Sequence, residues 1–160
     1  MILKIVAVGK LREKHWRDAV SDYIRRLRPY GRLEMVEVSE ARIPERASLA
    51  EERAALDQEA FAILEKLKDC KGPVIVLDRQ GIALDSVELS EWMQTQILDG
   101  KNEMAWVVGG PLGLGSTVLD RSDLILSFSR MTFPHQMMRP ILLEQIYRSF
   151  RIMHHEPYHK

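Results

Sequence analysis

Short runs of β-branched and other apolar residues alternate with segments of helical periodicity along nearly the whole chain, and that alternation leaves few folds open. The runs at Ile2–Val8, Leu33–Val38, Val74–Leu77, Met104–Val108 and Leu124–Phe128 read as strands. Three of them are almost continuously apolar, as strands covered on both faces must be. Between them, Glu13–Leu27 sets Trp16, Ala19, Val20, Tyr23, Ile24 and Leu27 at three- and four-residue spacing. Leu49–Leu67 does the same with Leu56, Ala60, Ile63, Leu64 and Leu67 beneath a charged outer face. Asp85-Ser-Val-Glu88 has capping-box spacing ahead of Leu89–Leu98, and Gly100 suits the stop. Ser116 is placed to cap a short Thr117–Arg121 helix. A last helix ends near Met153 and buries Met138, Ile141, Leu142, Ile146, Phe150 and Met153. The expectation is an α/β fold in a single domain over residues 1–160, with a five-stranded, largely parallel sheet and helices on both faces.

Composition narrows the function classes. At 160 residues the chain is long enough to bury roughly two-thirds of its unfolded surface. Lysine and arginine number 23, as do aspartate and glutamate, so a bulk cation that coats nucleic acid is excluded. A lone cysteine, Cys70, excludes a disulfide framework and a multi-thiolate zinc site. Ile2–Val8 is too short for a membrane span and lacks the features of a signal peptide, which points to a soluble, cytoplasmic protein. The zero net charge conceals a segregation: residues 1–32 and 131–160 are basic and the middle of the chain is acidic. If the N-terminal helix and the C-terminal tail share one face, a selective RNA-facing surface is compatible with overall neutrality.

Ligands on such sheets gather at the carboxyl ends of the strands, and three of those ends are unusual here: Leu77-Asp-Arg-Gln-Gly81, Gly109-Gly-Pro-Leu-Gly-Leu-Gly115, and Leu126 to Gln136. Gly110 to Gly115 has P-loop spacing, but the lysine that would reach the β- and γ-phosphates is missing. On spacing alone the loop serves equally well as tight turns or as a ligand cradle. His155-Glu-Pro-Tyr-His159 matches the zinc-protease pattern formally, yet Pro157 interrupts the helix that would align the two histidines, so no metal is expected. Cys70 has no base partner, and the methionines read as core filler. No serine stands in a nucleophile elbow.

The stretch LSFSRMTFPHQMMRPILLEQIYRSFRIMHHEPYHK, Leu126 to Lys160, closely resembles the end of the ribosomal RNA large subunit methyltransferase H family, a branch of the SPOUT superfamily of trefoil-knotted methyltransferases. The opening ILKIVAVGKLREKHW, VLDRQG and WVVGGPLGLG extend the resemblance over essentially the whole chain. It implies a C-terminal trefoil knot that binds S-adenosylmethionine, and a homodimer that methylates N3 of a pseudouridine in helix 69 of 23S rRNA on the assembled ribosome. Carried over residue by residue, it implies a cofactor pocket of Leu77, Gly109, Phe128, Ser129, Arg130, Met131, Thr132 and Phe133. A sulfonium ligand without phosphates also accounts for the missing P-loop lysine.

The resemblance further implies that the PYHK tail contributes to the active site. N3 of a pseudouridine must lose a proton to become nucleophilic. His159 is expected as base or proton relay, and Tyr158 as a group that stacks on or hydrogen-bonds the base. Arg139 would hold phosphate or stabilise the developing imidate charge. The blander roles are an interface histidine, a core or interface tyrosine, and an arginine that caps the knot. Pro140 stands where the family usually has an aliphatic residue. A helix starting at Pro134 would lose an internal hydrogen bond there, at a cost of up to about 3 kcal/mol. The expected start is therefore near Met137–Arg139, which makes Pro140 a first-turn residue.

Overall fold

The protein is described from a computed structural model covering residues 1–159. Five strands, β1 (Ile2–Val8), β2 (Arg32–Val38), β3 (Val74–Ala83), β4 (Glu103–Val108) and β5 (Leu124–Ser127), form one sheet in the order β2-β1-β4-β3-β5. All four strand pairings are parallel, with Ile2 opposite both Arg32 and Glu103.

The helices are α1 (Lys14–Leu27), α2 (Leu49–Leu67), α3 (Ser86–Leu98), α4 (Ser116–Arg121) and α5 (His135–Met153). Alternation along β1 divides them between the faces. Leu3, Ile5 and Ala7 pack with Val20 of α1, Leu89 and Met93 of α3, and Leu142, Ile146 and Phe150 of α5. Val6 and Val8 meet Ala60, Ile63 and Leu67 of α2 and Val118 of α4. Helices therefore cover both faces, which is why β1 and β4 can be apolar at nearly every position.

The helix starts follow from local chemistry. Ser48 opens α2 with a capping box, its hydroxyl accepting from the Glu51 amide at 3.3 Å while Glu51 accepts from the Ser48 amide at 2.7 Å. Asp85 does the same for α3, accepting from the Val87 and Glu88 amides at 2.8 Å. Gly100, at φ +81°, follows the end of α3 in the left-handed region that glycine tolerates.

Several boundaries shift by one residue, and three departures from the sequence reading matter more. β3 does not end at Leu77: pairing with β5 breaks after Leu77↔Leu126 and resumes at Ile82↔Leu126, so Asp78–Gly81 forms an irregularity inside a longer strand. Gly81 permits this, because a Cβ there would stand 2.5 Å from the Ile125 carbonyl oxygen. Ser116 is the first helical residue of α4 rather than its cap, which is Gly115. Most consequentially, α5 starts at His135, and Pro140 lies inside it as a buried residue, not in its first turn. Burial of the ring accompanies loss of the hydrogen bond that a residue with an N–H would give the Gln136 carbonyl.

Candidate active site

A cavity of about 710 Å³ opens at the carboxyl ends of β3, β4 and β5. Its floor is the glycine loop after β4. The Gly113 amide donates to the Gly110 carbonyl at 3.0 Å, and Gly113 sits at φ +87°. A Cβ on Gly109 would fall 2.6 Å from the Gly113 carbonyl oxygen, so only glycine allows this loop to close on itself. The opposite wall is the segment between β5 and α5, which is tied to β3. Arg79 Nη1 donates to Thr132 Oγ1 at 2.9 Å, the Ser127 hydroxyl reaches the Arg79 carbonyl at 3.2 Å, and the Met131 amide donates to Ser129 Oγ at 3.0 Å.

Seven of the eight expected cofactor residues line this cavity: Leu77, Gly109, Phe128, Ser129, Met131, Thr132 and Phe133. Arg130 is exposed and does not line it. The structure adds Asp78, His135 and Met138, none of which the sequence reading had placed in the cofactor pocket. Asp78 accepts from the Gln80 amide at 2.8 Å within the β3 irregularity, so the local signal for it was the polar break in an apolar strand. A cavity of this size with apolar walls, whose one lining arginine, Arg79, already donates to Thr132, suits a nucleoside-like ligand.

The expected catalytic residues lie elsewhere in the chain. Past α5 the backbone turns at His155, φ +53°, and the tail folds back along that helix. The Tyr158 hydroxyl donates to Glu144 Oε1 at 3.2 Å, its ring meets Tyr147 edge-on at 5.0 Å, and the Arg148 guanidinium stands 4.7 Å from its centroid. His159 Nδ1 lies 3.4 Å from Arg148 Nη1. Arg148 also pairs with Glu144 at 2.6 Å, making a four-residue cluster in which Glu144 and Arg148 were not anticipated from sequence. From Met138 at the cavity to Arg148 is ten residues of helix, about 15 Å of axis. Tyr158 and His159 are not cavity residues within one chain.

Arg139, expected to hold phosphate or stabilise charge, is enclosed at the junction of β1, β2 and α5. Its side chain is 1% exposed, pairs with Glu37 at 2.6 Å, and donates from Nη2 to the Val8 and Gly9 carbonyls at 2.9 and 2.6 Å. Both terminal nitrogens are engaged within the protein, while the buried Nε has no partner among the described residues. The side chain holds the end of β1 to the start of α5.

Titratable groups on the α1–α5 face are perturbed. Burial, together with hydrogen bonding to Tyr23, raises the Tyr158 phenol to about 12. Arg26 of α1 stands 5.9 Å from the Tyr147 ring, so the basic N-terminal helix and the C-terminal tail do share one face of the sheet. The histidines of the tail follow the end of α5 rather than lying on a helix, and among the described residues no group of three or more metal-ligating side chains occurs. Among the same residues no helix is long and apolar enough to cross a membrane.

Residues 1–159 match the family described as "Predicted SPOUT methyltransferase". The chain is 44% identical over 160 residues to a Carboxydothermus hydrogenoformans protein named ribosomal RNA large subunit methyltransferase H, with each covered in full. It is 47% identical, again over the full length of both, to a Methanococcus vannielii protein provisionally given the same name. Among solved structures it is similar to the SpoU methyltransferase AviRb from Streptomyces viridochromogenes in complex with AdoMet. That similarity has a TM-score of 0.46 and 11% identity, and covers 96% of this chain and 61% of the other.

Proposed function

Because the chain belongs to the SPOUT methyltransferase family, we propose that it is an S-adenosylmethionine-dependent ribosomal RNA methyltransferase whose target is N3 of the pseudouridine in helix 69 of 23S rRNA. The observation that carries this reading is the convergence of seven expected residues around one cavity with a glycine floor.

The residues fit the cofactor. Leu77, Phe128, Met131 and Phe133 offer apolar walls to an adenine, while the turn at Gly109–Gly113 lets a ligand approach the backbone closely. When bound, S-adenosylmethionine supplies a methyl group activated on a sulfonium. The remaining task belongs to the protein: to align the imide nitrogen and remove its proton. His159 and Glu144 are the candidate proton acceptors of the tail cluster, Tyr158 orients through its hydroxyl, and Arg148 holds the cluster together.

Within one chain that cluster and the cavity lie on different parts of α5. A homodimer in which the tail of one copy serves the cavity of the other brings them together, and two copies give the reach needed to address an assembled ribosome. The segment between β5 and α5, strapped to β3 through Arg79, is the stretch we assign to the trefoil knot. The whole chain acts as one methyltransferase domain in the cytoplasm.

The decisive experiment is mass spectrometry of 23S rRNA from cells lacking the gene, complemented or not with the wild-type chain. Loss of the methyl mark on the helix 69 pseudouridine and its return on complementation is the expected result. Persistence of that mark, with loss of another, would move the enzyme to a different nucleotide.

A further inference from the structure

Glu59 of α2 is a carboxylate buried to 5% exposure beneath the cavity, and none of the chemistry above employs it. Such burial is costly without partners. Its Oε1 accepts from the Ala41 amide at 2.8 Å, fixing the first residues of the polar loop 39–48. Its Oε2 faces the glycine loop, 3.4 Å from where a Cβ on Gly110 would stand. The next residue of α2, Ala60, and the Leu56 carbonyl approach Gly115 equally closely, at 3.0 and 3.1 Å from its Cβ position. One turn of α2 thus supports both ends of the cavity floor while its carboxylate grips a different loop. Desolvation raises the pKa of Glu59 and so favours its neutral form, the Ala41 amide opposes this, and the nearby Glu40 adds to it.

The gripped loop has features of its own. Arg42 and Arg46 are exposed, and neither forms an ion pair among the described residues. Glu40, one residue before Ala41, reaches to 3.1 Å from the Cβ position of Gly9 at the end of β1. The loop therefore starts at the carboxyl edge of the sheet, beside the cavity, and presents two free guanidinium groups, the side chain best suited to bind phosphate.

We propose that Glu59 is a positioning residue that couples the cavity floor at Gly110 to the 39–48 loop, so that cofactor binding orders a loop whose Arg42 and Arg46 engage RNA phosphates. This rests on the cavity being the cofactor site. Coupling of this kind is reciprocal, so RNA bound at the loop must raise cofactor affinity by the same factor that cofactor raises RNA affinity.

Amide hydrogen exchange on the wild-type chain tests it without any mutation. S-adenosylmethionine is expected to slow exchange at Gly110 and, several-fold, at Ala41. Protection at Gly110 with none at Ala41 would overturn the coupling and leave the cofactor site intact. Protection at neither would overturn the cofactor reading, and the coupling with it. Two variants then assign the link to the side chain. Glu59→Gln keeps an acceptor for the Ala41 amide and is expected to retain the protection. Glu59→Met keeps the volume without the acceptor. It is expected to lose protection at Ala41 and to raise KM for S-adenosylmethionine about tenfold with a smaller change in kcat. Equal KM values in wild type and a folded Glu59→Met variant would reduce Glu59 to a packing residue.

Discussion

Arg139 and Glu37 stand 102 residues apart in the chain and meet at 2.6 Å, the arginine enclosed and the glutamate at the edge of β2. Glu37 Oε1 also accepts the Leu11 amide at 2.9 Å, so one carboxylate oxygen joins β2, the loop after β1, and α5. Arg139→Ala leaves the Val8 and Gly9 carbonyls without their donor and is expected to destabilise the fold by about 3 kcal/mol. Urea unfolding measures this. Unchanged stability with lost turnover would return Arg139 to the catalytic role it was first assigned.

The closed glycine loop makes a sharper forecast about affinity. Gly109→Ala forces a methyl against the Gly113 carbonyl and should weaken S-adenosylmethionine binding by more than tenfold in calorimetry. Gly113→Ala meets no neighbour within 4 Å but is strained at φ +87°, by about 1 kcal/mol. It should therefore bind more tightly than Gly109→Ala. The reverse order would mean the loop does not bind as it is folded here.

Tyr158 should not act as a base near neutral pH. Its phenol is raised to about 12, so the folded state holds the proton more firmly than the unfolded chain does. The linked stability is present below the ordinary phenol value near pH 10 and is lost as pH rises through about 12. Ultraviolet difference titration should show one late-ionising phenol that disappears in Tyr158→Phe. The methylation pH profile of that variant should keep its shape below pH 9.

His159→Ala is expected to lower single-turnover methylation on the order of 10²-fold, as loss of a general base does, while S-adenosylmethionine affinity holds. Truncation after Pro157 should do at least as much. Wild-type rates in both would remove the tail from the mechanism.

RNA binding should weaken with salt, since the arginine-rich helix α1 and Tyr158 of the tail pack into one cluster on the same face of the sheet. About four phosphate contacts to single-stranded RNA would give a slope near −3 in a plot of log affinity against log salt. Arg139 is enclosed and should contribute nothing to that slope. A flat plot would dismiss the basic face as a binding surface.

Much of the architecture was legible because it is local. The bounds of β1 and α2, the capping boxes at Ser48 and Asp85, and the stop at Gly100 all follow from neighbouring residues. What was not legible depends on partners distant in sequence. Asp78–Gly81 reads as the stretch that ends a strand until β5 lies alongside and pairs with Ile82. Pro140 reads as a first-turn residue until tertiary burial overrides its missing donor. Glu144 and Arg148 look like an ordinary exposed helix pair until the tail folds onto them. The cavity residues were named from family resemblance, since periodicity alone left the glycine loop ambiguous.

Both margins of the sheet are blunt. β5 is four residues long, and β2 carries Arg32, Glu34 and Glu37 in a run of seven. Short or charged margins resist the strand-to-strand templating that leads to fibrils and disordered aggregates. The proposed homodimer would therefore have to form through helix and tail surfaces rather than by extending the sheet.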